Sequence, residues 1–303
     1  MYLKELTVAA ATRKKTAAPP YGALSHEMKD HSYVLRSGFI FTSPWVVTER
    51  TVRHPAAVLL TAKYRPFELR TNRGADYLAA AIKPVTSRGL RAADVGLVSV
   101  HIHPNHPQFR RFRAIPDPGV MQLDRAAFAQ FDDALLAAYR GELSVPEAVK
   151  LFEDVVATTI EFLPTVKRMD PRVEQAIELL QQDAGYPLKQ LAAKLGLSYD
   201  HMSHLFSEAV GLPLRSYQLW QKAYNAGFLF ASGRTLTDIA HATGFTDSAH
   251  LSHTFKQSYG ISPSYLMDRK HMDIFVQPPV NEPVAAEKQQ TSVPAKSEPD
   301  ADA

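Results

Sequence analysis

Two stretches of this 303-residue sequence resemble one another, and no other feature limits the fold so much. The first runs through Leu191-Ala192, Gly196-Leu197-Ser198, Ser203-His204 and Phe206 to Gly211. The second runs through Ile239-Ala240, Gly244-Phe245-Thr246, Ser252-His253 and Phe255 to Gly260. The offset is 48 up to Ser198/Thr246 and 49 from Ser203/Ser252 onward, so the second copy carries one extra residue at the start of its second helix. Each copy follows the rules of a helix-turn-helix. A short helix presents an apolar residue and a small alanine for close packing. A glycine then supplies the left-handed conformation of the turn. An apolar plug follows (Leu197, Phe245), then a helix-capping side chain (Ser198; Thr246 or Asp247). The second helix has Met202, Leu205 and Phe206, or Leu251 and Phe255, on its core face.

The most specific stretch is Ala240-x-x-x-Gly244-Phe245-x-Asp247-x-x-His250-Leu251-Ser252-x-x-Phe255-Lys256-x-x-x-Gly260-x-Ser262-Pro263. With it, residues 172–268 resemble the DNA-binding domain of AraC/XylS transcription regulators. The resemblance implies seven helices carrying two helix-turn-helix units, the second helix of each entering the DNA major groove. A long helix is expected over 214–231, about 27 Å at 1.5 Å per residue. That length suits two reading heads about one helical turn of DNA, roughly 34 Å, apart.

On each recognition helix the face opposite the core points outward. Matched to the positions that contact bases in the family, the candidates are Asp200, Ser203 and His204 in the first unit and Ser248, Ala249, His250 and His253 in the second. Lys256, Lys189, Arg215 and Arg234, with helix N-termini, are candidates for phosphate contact. The alternative is a solvated polar helix face. Residues 171–270 carry 9 Lys+Arg against 8 Asp+Glu, less basic than is usual for a DNA-binding domain. His204 and His253 also stand where arginine is frequent in the family.

The composition is that of an ordinary soluble protein, 45% hydrophobic and 21% charged, with a net charge of +3 and no cysteine. The missing thiols exclude disulfide scaffolds, cysteine zinc sites and thiol nucleophiles, and fit a reduced compartment. No run of 18 apolar residues and no signal-peptide pattern occurs, so a cytoplasmic protein is expected. Residues 1–30 are expected to be flexible and 277–303, rich in proline and without aromatics, to be a disordered tail.

Between them, residues 31–165 read as an effector-sensing and dimerisation domain, and 170–271 as the DNA-binding domain. Strand-like runs occur at 33–41, 58–64, 67–71 and 95–102. After Pro118 the period becomes helical. Asp124 caps a helix with Phe128, Phe131, Leu135 and Ala138 on one face. A capping box of Ser144 and Glu147 opens a second, with the stripe Val145, Val149, Phe152, Val156, Ile160 and Leu163. The pair reads as a helical hairpin packed on the sheet or on a partner's copy. The expected fold class is α+β: a small β-rich domain with a helical hairpin, then an all-α double helix-turn-helix domain.

His101-x-His103-x-x-His106 is similar to the His-x-His of metal-binding cupins, and alternate strand residues point the same way. No glutamate follows at the family spacing, and Pro104 and Pro107 make a rigid turn an equal reading. No metal or cofactor is therefore expected. Arg110-Arg111-x-Arg113, with Arg65, Arg70 and Arg73, is either an anion site or a solvated basic surface. Phe39, Phe41, Trp45, Tyr64 and Phe67 line a pocket or fill the core. The function expected is a bacterial transcription regulator, not an enzyme, controlled by a small-molecule effector. The resemblance further implies an activator, double-stranded DNA and RNA polymerase as partners, and a homodimer. The rival is a cupin-like metal-binding or enzymatic domain with an appended DNA-binding domain.

Overall fold

The computed structural model describes residues 29–278 apart from His54 and Lys167. The segments expected to be flexible or disordered lie outside the described residues, except at their inner ends. Asp30 is already buried in the first strand. At the other end Gln277 and Pro278 accept hydrogen bonds from Arg36 through the Gln277 side chain and the Pro278 carbonyl.

The N-terminal part is built on one nine-stranded sheet. Its path runs β8 (Val120–Gln122), β6 (Ala79–Ile82), β3 (Ala56–Thr61), β7 (Thr86–Ile102), β2 (Gly38–Arg53), β1 (Asp30–Leu35) and β9 (Met272–Val276). A further hairpin, β4 (Phe67–Arg70) with β5 (Gly74–Tyr77), pairs with the first half of β7. The run 33–41, read as one strand, is a hairpin: Leu35 pairs with Gly38 and the chain turns at Arg36-Ser37. All six residues of β3 are buried, the mark of a sheet covered on both faces.

On one face Tyr33, Ile40, Val58 and Val100 meet Phe112, Phe128, Leu135 and Phe152. The covering helices are α1 (Phe109–Arg113), a 3-10 helix (Arg125–Phe131), α2 (Asp132–Arg140) and α3 (Val145–Ile160). Asp124 is a cap as expected, accepting from the Ala126 N–H at 2.9 Å, but it caps the 3-10 turn that leads into α2. The Ser144–Glu147 capping box opens α3. The stripe expected to face either the sheet or a partner faces the sheet: Phe152 and Val156 are each 1% exposed. A Cβ on Gly38 would run into the Phe152 ring, so strand and helix approach as closely as they can.

The C-terminal part is helical: α4 (Pro171–Gln182), α5 (Leu188–Lys194), α6 (Tyr199–Val210), α7 (Leu214–Leu229), α8 (Leu236–Ala242), α9 (Ser248–Tyr259) and α10 (Pro263–Met267). Its core forms around Trp220, Tyr217, Phe206, Met202, Leu251 and Ile239, and is continuous with the second face of the sheet through Phe41, Leu59 and Leu97. After α10 the chain returns as β9 and pairs in parallel with β1, Asp30 opposite Met272 and Val34 opposite Val276. No helix among the described residues is long and apolar enough to cross a membrane.

Candidate nucleic-acid interface

Each helix-turn-helix unit is fixed by local chemistry. In the first, Gly196 takes φ +70° between α5 and α6, and Ser198 caps α6 by accepting from the His201 N–H at 3.2 Å. Met202 and Phe206 are fully buried, while Leu205, placed on the core face, is half-buried. That leaves Asp200 and His204 exposed on the outer face and Ser203 half-exposed beside them. In the second unit Gly244 takes φ +75°, and the cap is Asp247, whose carboxylate accepts from the His250 N–H at 2.8 Å. Thr246 instead meets the His250 ring, its Oγ1 3.1 Å from Nδ1, and Phe245 holds the same ring edge-on at 5.1 Å. His250 is thus oriented before any ligand arrives. Leu251 and Phe255 are buried, Ala249, His250, His253 and Lys256 are exposed, and Ser248 is half-exposed.

Both units are braced on α7. Gln218 donates from Nε2 to the Tyr186 carbonyl before α5 at 2.8 Å. One turn further along, Lys222 donates from Nζ to the Gly244 carbonyl in the turn of the second unit at 3.0 Å. These two positioning residues escaped the sequence reading; the only signal was a pair of polar residues at i, i+4, one among several on this helix. The N-terminal N–H groups of α6 and α9 and their partial positive charge face outward with the candidate side chains, a natural seat for phosphate oxygen. Lys189, Arg215, Arg234 and Lys256 are all exposed.

The basic residues of the N-terminal part have other work. Arg111 donates to the carbonyls of Ile160, Leu163 and Pro164, closing the end of α3. Arg113 reaches across to the helical part and donates to the carbonyls of Glu208 at 2.7 Å and Ala209 at 2.6 Å, the last turn of α6. A cation at a helix C-terminus complements the dipole and satisfies orphan carbonyls. Arg65 and Arg70 pair with Asp94 and Glu68. Tyr224 of α7 donates to the Arg36 carbonyl at 2.5 Å, and Tyr265 of α10 to Asp30 Oδ2 at 2.5 Å. The two parts are therefore bolted together by directional bonds as well as by a shared core. Burial pushes the Asp30 carboxyl up to about 6.

The three histidines of the 101–106 stretch do not converge on an ion. His101 and His103 do point the same way, but onto Phe39, with ring centroids at 4.2 and 5.6 Å. The strand ends at Ile102, and the His106 N–H then donates to the His103 carbonyl, the turn that Pro104 and Pro107 announced. His106 Nε2 stands 3.4 Å from a Glu153 carboxylate oxygen instead. Among the described residues no group of three or more His, Asp or Glu side chains is disposed to hold a metal. Of the aromatics considered for a pocket, Phe67 is core, Tyr64 is 48% exposed, and Phe39 and Phe41 face α7 and α9.

Comparison with known proteins agrees with this geometry. A family model described as a helix-turn-helix domain matches residues 191–269. The chain is 27% identical over 157 residues to the arabinose operon regulatory protein of Escherichia coli, covering 48% of this chain and 54% of that protein. The C-terminal part is an AraC-type domain. A second relative, the transcriptional activator NphR of a Rhodococcus species, is 30% identical over 129 residues, 42% of this chain and 37% of that protein. The chain thus spans about half or less of the length of these relatives. The crystal structure of ToxT from Vibrio cholerae O395 aligns over 73% of this chain and 91% of its own at 12% identity, with a TM-score of 0.48.

Proposed function

We propose that this chain is a sequence-specific DNA-binding transcription regulator in which the sheet domain senses a small molecule and the AraC-type domain reads an operator. The observation that carries the reading is the matched pair of capped helices, α6 and α9. Each is buried along its core face and presents polar side chains from its first two turns, and α7 ties down the segment before α5 through Gln218 and the turn before α9 through Lys222. Asp200, Ser203 and His204, with Ser248, Ala249, His250 and His253, are the proposed base contacts, and Lys256 a phosphate contact. Activation through RNA polymerase, a homodimer and a cytoplasmic location belong to the same reading, supported by relatives whose names describe regulators and an activator. Neither relative's name describes an enzyme.

The test is selection of bound duplexes from a random pool by the full chain, followed by affinity measurements against salt. Lys256→Ala is expected to weaken all sites alike and lower the salt slope by about one. His253→Ala is expected to relax preference at one or two base positions, costing roughly tenfold on the preferred site. A pool that shows no enrichment sinks the reading.

A further inference from the structure

Between α1, the connecting segment before α4 and α4 itself lies a groove of about 630 Å³, open to solvent. A volume of that order takes a small organic molecule rather than a single ion. The groove joins the two parts of the chain. Helix α1 covers the sheet, α4 belongs to the helical part, and Val210, the last residue of α6, adds to the lining. Its charges are sorted by element. Arg110 and Arg111 come from α1 and Arg168 from the connecting segment, whereas Glu174 and Glu178 stand one turn apart on α4. Phe109, Met169 and Ile177 supply apolar surface.

Two observations set these charges apart from an ordinary solvated surface. The side chains of Arg168, Glu174 and Glu178 share one groove, yet none has a hydrogen-bond or ion-pair partner among the described residues. The two glutamates also repel each other across one helical turn. Arg111, by contrast, is locked. Its guanidinium donates to the carbonyls of Ile160, Leu163 and Pro164 at 2.7, 2.6 and 2.7 Å, which leaves Nη1 without a partner. Those carbonyls fix the side chain but offset only part of a full charge, and no carboxylate among the described residues pairs with it. An anion arriving there meets a cation that needs no further ordering.

We propose that this groove binds a zwitterion of di- to tripeptide size, its carboxylate on Arg111 and Arg168 and its ammonium on Glu174 and Glu178. A guanidinium recognises a carboxylate through paired N–H donors. Each set of charges accepts one end of such a molecule and rejects the other. A plain dianion would face two carboxylates, and a plain cation the guanidiniums. Only a molecule of both signs leaves neither set opposite its like. The occupant touches α1, α4 and the end of α6 together, so its binding bears on how the helical part sits against the sheet. As a control of DNA reading this rests on the function proposed above; the binding itself does not.

The probes are the tripeptide Ala-Leu-Ala with free ends, its C-terminal amide and its N-acetyl form, titrated into the full chain by calorimetry without DNA. The free peptide is expected to bind. The amide, which lacks the carboxylate, should be about tenfold weaker, the effect of a charged hydrogen bond. The acetylated form should be several-fold weaker. Arg168→Gln should weaken the free peptide about tenfold. Glu174→Gln with Glu178→Gln should weaken it several-fold and leave the acetylated form where it was. Both sets of substitutions touch only side chains without partners, so a loss reads binding rather than folding. Absence of binding of the free peptide to the wild type, equal affinity for the amide, tighter binding of the acetylated form, or affinity unchanged by either set overturns the proposal. None of these readouts uses DNA, so failure of the operator selection and failure of the groove are separate results.

Discussion

Arg113 lies so close against Gly211 that any side chain on that glycine would displace the guanidinium. Gly211 is the left-handed stop of α6, φ +83°, and Arg113 holds the two carbonyls just before it. One contact therefore joins the sheet part to the end of α6. Gly211→Ala is expected to destabilise the chain by about 1–2 kcal/mol from backbone strain alone, and Arg113→Ala by a similar amount through lost charge-assisted bonds. Urea unfolding of the full chain checks both. In a double-mutant cycle the alanine at 211 should cost at least about 0.5 kcal/mol less once Arg113 is gone; strictly additive effects would mean the two do not meet.

Phe152→Asp tests the packing of the helical hairpin. With Phe152 1% exposed against Gly38, the substitution buries a charge and opens a cavity, and is expected to cost about 3–5 kcal/mol. Circular dichroism and sedimentation should report an unfolded or aggregated chain. A folded, well-behaved monomer would return the stripe to a role between subunits.

Stability should fall on acidification, with His103 as a main cause. Its folded pKa is pushed down to about 3 by burial, against about 6.5 in an unfolded chain. The unfolded state therefore binds the proton more readily between those values, and the contribution, whole above pH 6.5, is lost as pH falls toward 3. By pH 5 the loss is about 2 kcal/mol. Burial lowers His31 and His106 in the same direction. Asp30 acts oppositely: raised to about 6, it contributes stability below about 4 that is lost as pH rises through 6. His103→Leu should flatten the profile of melting temperature between pH 4 and 6.5, and Asp30→Asn should steepen it.

Truncation distinguishes the last strand from the residues beyond it. A chain ending at residue 278 should unfold at the same urea concentration as the full chain. One ending at residue 270 loses β9, bares the edge of β1 and exposes Tyr33, whose ring stacks on Phe275 at 4.7 Å. It should unfold earlier and aggregate, since an open β edge recruits further strands. Equal midpoints for the two truncations would show that β9 adds nothing to the sheet.

How much was legible in the sequence depends on how local the cause of each element is. The helix-turn-helix units rest on caps, glycines and 3.6-residue periodicity, all within twenty residues, and each of the four glycines has the positive φ that the pattern demands. The choice between Thr246 and Asp247 was left open because either side chain can cap; a neighbouring ring, His250, engages the threonine. In the sheet, β6 and β8 are four and three residues long and held by partners well separated in the chain, and β5 is only the four-residue arm of a hairpin. Strand β9 was missed for the same reason: Met272–Val276 has a partner only because β1 is waiting 240 residues earlier. The basic triplet near Arg111 looked like a surface because nothing local reveals that the Arg111 and Arg113 guanidiniums end on carbonyls at the ends of distant helices.

The placement of β9 has a consequence for how the molecule is made. Strand β1 is among the first of the described elements to leave the ribosome, and its outer neighbour is the last. Throughout synthesis of everything between them, the seven helices α4 to α10 included, the rim of the sheet stays unzipped. Only when Met272–Val276 emerges does β1 acquire its outer neighbour. The helical part is thus held on the sheet twice over, by the core it shares with β2, β3 and β7 and by the strand that follows it, and a nascent chain can complete the sheet only after the last of those helices has been made.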